Sequence, residues 1–276
     1  MIDLADTLLR RPVSREEKPG VTVVHNISWQ TEVLRYTGLK VVRLEPGSRH
    51  QEKWDDRESC VVVLAGKVET KCGGESLGAI GRRRSVFDRC PTDSVYVPVG
   101  APLELVATEE AWVAIAWAPT EEMRPVRLIP AEENLVERRG KYQNQRIVHN
   151  ILADTDRVAH RLLVVEVFTE GGHWSSYPPH KHDKDRLPDE SFLEEIYYHE
   201  INPRQGFVMQ RIYTDDRTID ESYAVQNQDV VLVPSGYHPV GVPDGYSSYY
   251  LNVMAGPVRV WRFHNDPAHE WILARP

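Results

Sequence analysis

The segment Asp93-Ser94-Val95-Tyr96-Val97-Pro98-Val99-Gly100 returns later in the chain as Asp229-Val230-Val231-Leu232-Val233-Pro234-Ser235-Gly236. Each copy is an acidic residue, a β-rich run and a Pro-x-Gly turn. β-Branched and aromatic side chains favour extended backbone, and Pro with Gly closes it, so each copy predicts one strand and its turn. Two copies about 130 residues apart read as an internal repeat, hence as two like units. The surrounding signals keep the same order. Gly47, His50 and Glu58 precede Val62-Val63-Leu64 in the first half, and Gly171, Gly172, His180, His182 and Glu195 precede the second copy.

Short apolar runs recur between the repeats, among them Leu39 to Leu44, Cys60 to Leu64 and Ala111 to Trp117, with Gly, Pro, Asp and Asn between them. Close spacing of this kind predicts an all-β antiparallel sandwich or barrel rather than βαβ units. Helical periodicity is scarce, and only residues 2–10 and 131–139 offer modest candidates. The polar stretch Pro119 to Pro130 is the expected connection, which divides the chain into units 1–125 and 126–276.

With 276 residues, 41% of them hydrophobic, the chain can build two cores. A net charge of −8 and a pI near 5.8 argue against nucleic acid or an anionic membrane as partner. Arg82-Arg83-Arg84 is too short to change this and reads as solvated surface. No apolar run approaches the ~20 residues that span a bilayer. Met1 to Arg10 carries Asp3 and Asp6 and lacks the apolar core of a secretory signal. Three cysteines, Cys60, Cys72 and Cys90, form no C-x-x-C pair. A disulfide framework is therefore not expected, and a cytoplasmic location is.

Chemistry concentrates in Trp174-Ser175-Ser176-Tyr177-Pro178-Pro179-His180-Lys181-His182-Asp183. In a strand, residues i and i+2 share a face, so His180 and His182 aim two imidazoles into one cavity. Pro178 and Pro179 fix extended backbone without ladder donors, which suits an edge or rim. In Leu193-Glu194-Glu195-Ile196-Tyr197-Tyr198-His199 the same alternation groups Glu195, Tyr197 and His199 against Glu194, Ile196 and Tyr198. A third histidine, His238, follows the second Pro-x-Gly turn. His180, His182, Glu195 and His238 form an N/O donor set suited to one divalent ion, Zn, Mn, Fe or Ni, with positions left for substrate. Each element alone is commonplace, but their order on strands of one barrel favours metal.

The first half does not repeat this set. His50 has Glu52 at i+2, and Pro98-Val99-Gly100 is followed by Ala101 and Pro102. Its expected role is structural, as a copy lacking metal ligands.

At these residues the chain resembles the cupin superfamily, whose two motifs carry H-x-H with a later Glu, and Pro-x-Gly with a later His. More narrowly it resembles the bacterial 5-deoxy-glucuronate isomerases of myo-inositol catabolism, in Ser175 to Asp183, Leu193 to Tyr198, Gly236-Tyr237-His238-Pro239 and Tyr249-Tyr250-Leu251-Asn252-Val253-Met254-Ala255-Gly256. The related 5-keto-4-deoxyuronate isomerases share the barrel and the metal set. The resemblance spans essentially the whole chain and implies two tandem cupin barrels (double-stranded β-helix, jelly roll). Two departures stand out. The gap from His182 to Glu195 exceeds the usual cupin spacing and makes Glu194 a rival ligand, with Glu195 preferred because it directly precedes Ile196-Tyr197. His173 stands where the family would have Asn.

The resemblance implies an intramolecular oxidoreductase that converts 5-deoxy-D-glucuronate to 5-dehydro-2-deoxy-D-gluconate. A divalent ion would polarise the carbonyl and its neighbouring hydroxyl. Tyr177, Lys181, Tyr237 and His199 are the acid–base candidates, and ligand Glu195 is a less suitable base. Arg211 and Lys181 are candidates for the substrate carboxylate. No organic cofactor is expected. The expected partner is a small sugar acid, and a homo-oligomer is compatible with the sequence. The alternatives are a metal-dependent cupin dioxygenase, which would need an apolar pocket, and a non-catalytic sugar-binding cupin.

Overall fold

The computed structural model describes residues 8–28 and 33–275. Two seven-stranded sheets and two four-stranded sheets dominate it. The first large sheet runs in the order Arg127–Ile129, Ser94–Val97, Arg57–Ala65, Ala111–Pro119, Gly38–Leu44, Val21–Ile27, Arg15–Lys18. The second runs Leu9–Arg10, Val230–Val233, Glu194–Asn202, Ser247–Ala255, Leu163–Glu170, Arg146–Leu152, Leu135–Arg139. The two orders are the same, and the duplicated segments Ser94–Val97 and Val230–Val233 occupy equivalent places. A four-stranded sheet accompanies each large one, made of Arg49–Glu52, Leu103–Ala107, Val68–Cys72 and Glu75–Ile80 in the first half and of Trp174–Ser175, Val240–Gly241, Phe207–Tyr213 and Asp220–Gln226 in the second. This is the all-β tandem cupin architecture.

The edge strand of each large sheet is exchanged. Leu9–Arg10 pairs with Val230 and Val231 of the second sheet, and Arg127–Ile129 pairs with Ser94 to Tyr96 of the first. Of the helix expected over residues 2–10, Leu8 is helical, Leu9–Arg10 is a strand, and residues 2–7 lie outside the described residues. The helix expected over 131–139 is absent. A 3-10 turn, Ala131–Glu133, leads into strand Leu135–Arg139, because pairing with Arg146–Leu152 outweighs a weak local helical preference.

The strand centres are apolar on both faces because both faces are buried. Val61, Val63, Val95, Val113 and Ile115 fill the interior of the first barrel. Their neighbours Cys60, Val62, Leu64, Ala114 and Ala116 pack in one cluster with Ile196, Tyr198, Leu251 and Val253 of the second half. The large sheets thus pack back to back through alternate residues. Each fully buried Val or Leu contributes roughly 1.5–3 kcal/mol, which explains a continuous run where a half-exposed sheet would alternate.

Two carboxylates tie this interface reciprocally. Glu58 accepts from the backbone N–H groups of His160, Arg161 and Leu162 at 2.6 to 2.8 Å. Glu194 accepts from those of Arg35 and Tyr36 at 2.7 Å.

Candidate metal centre and its cavity

Strand Glu194–Asn202 lies between Val230–Val233 and Ser247–Ala255. Its alternation sends Glu194, Ile196 and Tyr198 toward the other half, and Glu195, Tyr197 and His199 into the second barrel. Glu194 is thus a tie between halves and no rival ligand. The pairing register also corrects the repeat alignment. Glu195 faces Val233 as Ser59 faces Val97, so the counterpart of Glu195 is Ser59, and Glu58 is the counterpart of Glu194.

The Pro234-Ser235-Gly236 turn sets His238. Gly236 has φ +94°, and a Cβ there would lie 2.6 Å from the Tyr213 carbonyl oxygen, so only glycine fits. His238 Nδ1 is 2.8 Å from the Gly236 carbonyl, and His182 Nδ1 is 2.9 Å from the Leu193 carbonyl. A carbonyl can only accept, so both Nδ1 atoms carry a proton and both Nε2 atoms face inward, where a metal would take their lone pairs.

These atoms converge on Glu195. His182 Nε2 lies 2.5 Å from Oε1, and His238 Nε2 lies 3.6 Å from Oε2. Asn252 Nδ2 donates to Oε2 at 2.8 Å. The ligand atoms of His182, Glu195 and His238 all lie within 4.8 Å of one another, fully inside the barrel. Among the described residues His238 Nε2 finds no hydrogen-bond partner. Two inward lone pairs around a buried carboxylate call for a positive charge among them, and this N/O set fits a divalent ion. Burial pushes the Glu195 carboxyl up, but His238 and His182 outweigh it and hold it well below the usual range. Burial likewise works against His182, yet Glu195 raises it.

His180 stands beside the tight group. Its ring meets His238 edge-on at 5.2 Å and packs on Phe263 at 4.6 Å. Its short strand, His180–Lys181, pairs with His264–Asn265 of the C-terminal segment, which gives the edge position the prolines suggest. Burial, then His238 and His182, lower its pKa well below the ordinary value, so it is neutral and able to ligate.

A cavity of about 370 Å³ reaches Glu195 past Arg146, Ser176, Tyr197, Tyr250 and Asn252. A second, of about 440 Å³, adjoins it and is lined by Tyr177, Asn144 and Ile272. Arg146, His180 and Phe263 line both.

Of the expected catalytic residues, Tyr177 lies on this route and Glu195 at its base. The other three do not. Lys181 is turned away from the cavity by strand alternation, its ammonium 2.6 Å from Asp183 and 3.0 Å from Asp215. Tyr237 donates to Asp215 in the same outer cluster. Arg211 is on the surface, in a two-point ion pair with Asp220. Neither proposed cation is thus available to a ligand in the cavity. His173 sits in a turn, its Nδ1 bonded to the Gly171 carbonyl. His199 is buried behind Tyr197, bonded to Gln210, and desolvation lowers its pKa to about 4. It is neutral near pH 7.

Sequence reasoning missed Arg146, Tyr250 and Asn252. For two of them a signal existed. Asn252 and Tyr250 face Tyr197 and His199 directly across the strands, so the alternation that selects Glu195 selects them too. Arg146 carried none, because its place depends on how strand Arg146–Leu152 joins the sheet.

The family model described as the KduI/IolB family matches residues 8–272. The chain belongs to this family. A relative from Bacillus licheniformis, named 5-deoxy-glucuronate isomerase, is 57% identical over 268 residues, covering 97% of this chain and 99% of the relative. A relative of the same name from Listeria monocytogenes is 55% identical over 269 residues, with 97% and 98% covered. The crystal structure of an IolB-like protein from Salmonella typhimurium superposes with a TM-score of 0.92 at 46% identity, covering 96% of this chain and 99% of that one. Oxalate decarboxylase from Bacillus subtilis superposes with a TM-score of 0.67 at 13% identity over 94% of this chain and shares the fold. No described helix of this KduI/IolB family member is long and apolar enough to cross a membrane.

Proposed function

We propose that the chain is a metal-dependent 5-deoxy-glucuronate isomerase, converting 5-deoxy-D-glucuronate to 5-dehydro-2-deoxy-D-gluconate in the cytoplasm. The observation that carries this reading is near-full-length identity of 55–57% to relatives of that name. The geometry supports it with a polar cavity that reaches Glu195, the carboxylate around which His182 and His238 gather.

In this reading His180 completes the set as a fourth ligand to one divalent ion, Zn, Mn, Fe or Ni. When bound, the ion supplies Lewis acidity for a carbonyl and its adjacent hydroxyl. The chain's own residues do the rest. Asn252 and the two backbone carbonyls fix the ligands in orientation. Moving the carbonyl to the adjacent carbon takes that carbon's hydrogen and its hydroxyl proton and places one hydrogen on the former aldehyde carbon and one proton on its oxygen. Tyr197, whose hydroxyl lies 3.2 Å from Ser176 Oγ, Tyr250 and Tyr177 are cavity phenols able to hold a proton. Units 1–125 and 126–276 divide the work. The second carries the site, and the first supports it, with Ser59 and Pro102 where the second has Glu195 and His238.

The test is conversion of 5-deoxy-D-glucuronate under strict anaerobiosis, followed by proton NMR. Loss of the aldehyde with appearance of an isobaric ketose is expected. Oxygen-dependent turnover would replace this reading with the dioxygenase, and binding without turnover would replace it with the sugar-binding protein.

A further inference from the structure

Among the described residues, Arg146 is the one Lys or Arg that lines both cavities. Its neighbour Arg139 is paired with Glu137, Lys181 with Asp183 and Asp215, and Arg211 with Asp220. Among the described residues no carboxylate pairs with Arg146. The one hydrogen bond described for its side chain runs from Nη1 to the Asn144 carbonyl at 3.0 Å. It is nonetheless half-buried and lines both cavities, beside His180.

The sheet makes this position costly. Arg146 and Arg139 face each other directly across two antiparallel strands, and both line the inner cavity. Like charges directly opposite one another destabilise a sheet, and Glu137 answers only one of the two. A partly desolvated guanidinium without an anion adds to that cost. Consistent with this, burial lowers the pKa of Arg146. An anionic ligand in the cavity would offset both effects, and the planar fork of arginine suits a carboxylate at two points.

We infer that Arg146, at the junction of the two cavities, binds the carboxylate of a sugar-acid substrate and orients its other end toward Glu195. That the anion is a uronate rests on the isomerase reading above. Arg262 also lines the inner cavity, but it is exposed at the rim, where water weakens any ion pair.

The test is calorimetric titration of the full-length, divalent-ion-loaded protein with D-glucuronate and, separately, with D-glucose, which lacks the carboxylate. The wild type should prefer glucuronate. Arg146→Gln should weaken glucuronate by about 10- to 100-fold, as expected for lost hydrogen bonds to a charged group, and leave glucose unchanged. Arg146→Lys, which keeps the charge but not the fork, should fall between, and Arg262→Gln should match the wild type. A melting curve checks each fold, and if the Gln variant is misfolded the Lys variant alone decides. A variant that binds glucuronate as the wild type does, or loses glucose equally, overturns the inference. If 5-deoxy-glucuronate is converted while the preference ignores Arg146, this inference fails alone. If the preference follows Arg146 but no conversion occurs, the isomerase reading fails and the anion site stands.

Discussion

Glu194 and Glu195 are adjacent in the chain, yet their carboxylates leave the strand on opposite faces and bind different halves of the molecule. Glu194 holds the backbone of Arg35 and Tyr36, while Glu195 holds His182 and Asn252. The duplicated strand of the first half keeps the first of these roles in Glu58 and puts Ser59 at the second.

This separation predicts two different failures. Glu195→Gln should lose most bound divalent metal, because it removes the only carboxylate of the donor set. Glu194→Gln should keep its metal but lose stability. Replacing an acceptor of two backbone N–H groups costs about 1–3 kcal/mol. Metal analysis after dialysis and thermal melts separate the two. Metal loss in the Glu194 variant would place both carboxylates on one face.

Lys181 sits between the candidate ligand histidines in sequence but belongs to the outer cluster with Asp183, Glu190 and Asp215. Lys181→Met should therefore destabilise the fold, by about 3–5 kcal/mol for a broken buried pair, and leave metal content intact. Denaturant melts with metal analysis test this. A stable variant that loses turnover would return Lys181 to the cavity.

His199 sets a pH dependence of stability. Its ordinary pKa is 6.5, and burial lowers it to about 4 in the folded chain. Between these values the unfolded chain binds the extra proton, so stability is full above pH 6.5 and falls as pH drops toward 4. The wild type should lose up to about 1.4 kcal/mol per pH unit more than His199→Gln across that window. Denaturant titrations at several pH values measure both slopes. Equal slopes would mean that His199 is solvated.

The sequence by itself determined the architecture and most of the candidate metal centre. The duplicated Pro-x-Gly segments gave equivalent strands, and the period-2 alternation of Glu195, Tyr197 and His199 selected the inner face. Strand periodicity and turn chemistry are local, so they can be read from neighbouring residues. Tertiary structure decided what local rules do not reach. It made Leu9–Arg10 and Leu135–Arg139 strands against a weak helical preference, because pairing with a distant edge outweighs propensity. It also exchanged the cations. Lys181 and Arg211 found acidic partners on the outside, while Arg146, unremarked in the sequence, came to rest beside His180 with none among the described residues. Which charge remains free depends on which acids fold against it, and that is fixed only when distant strands meet.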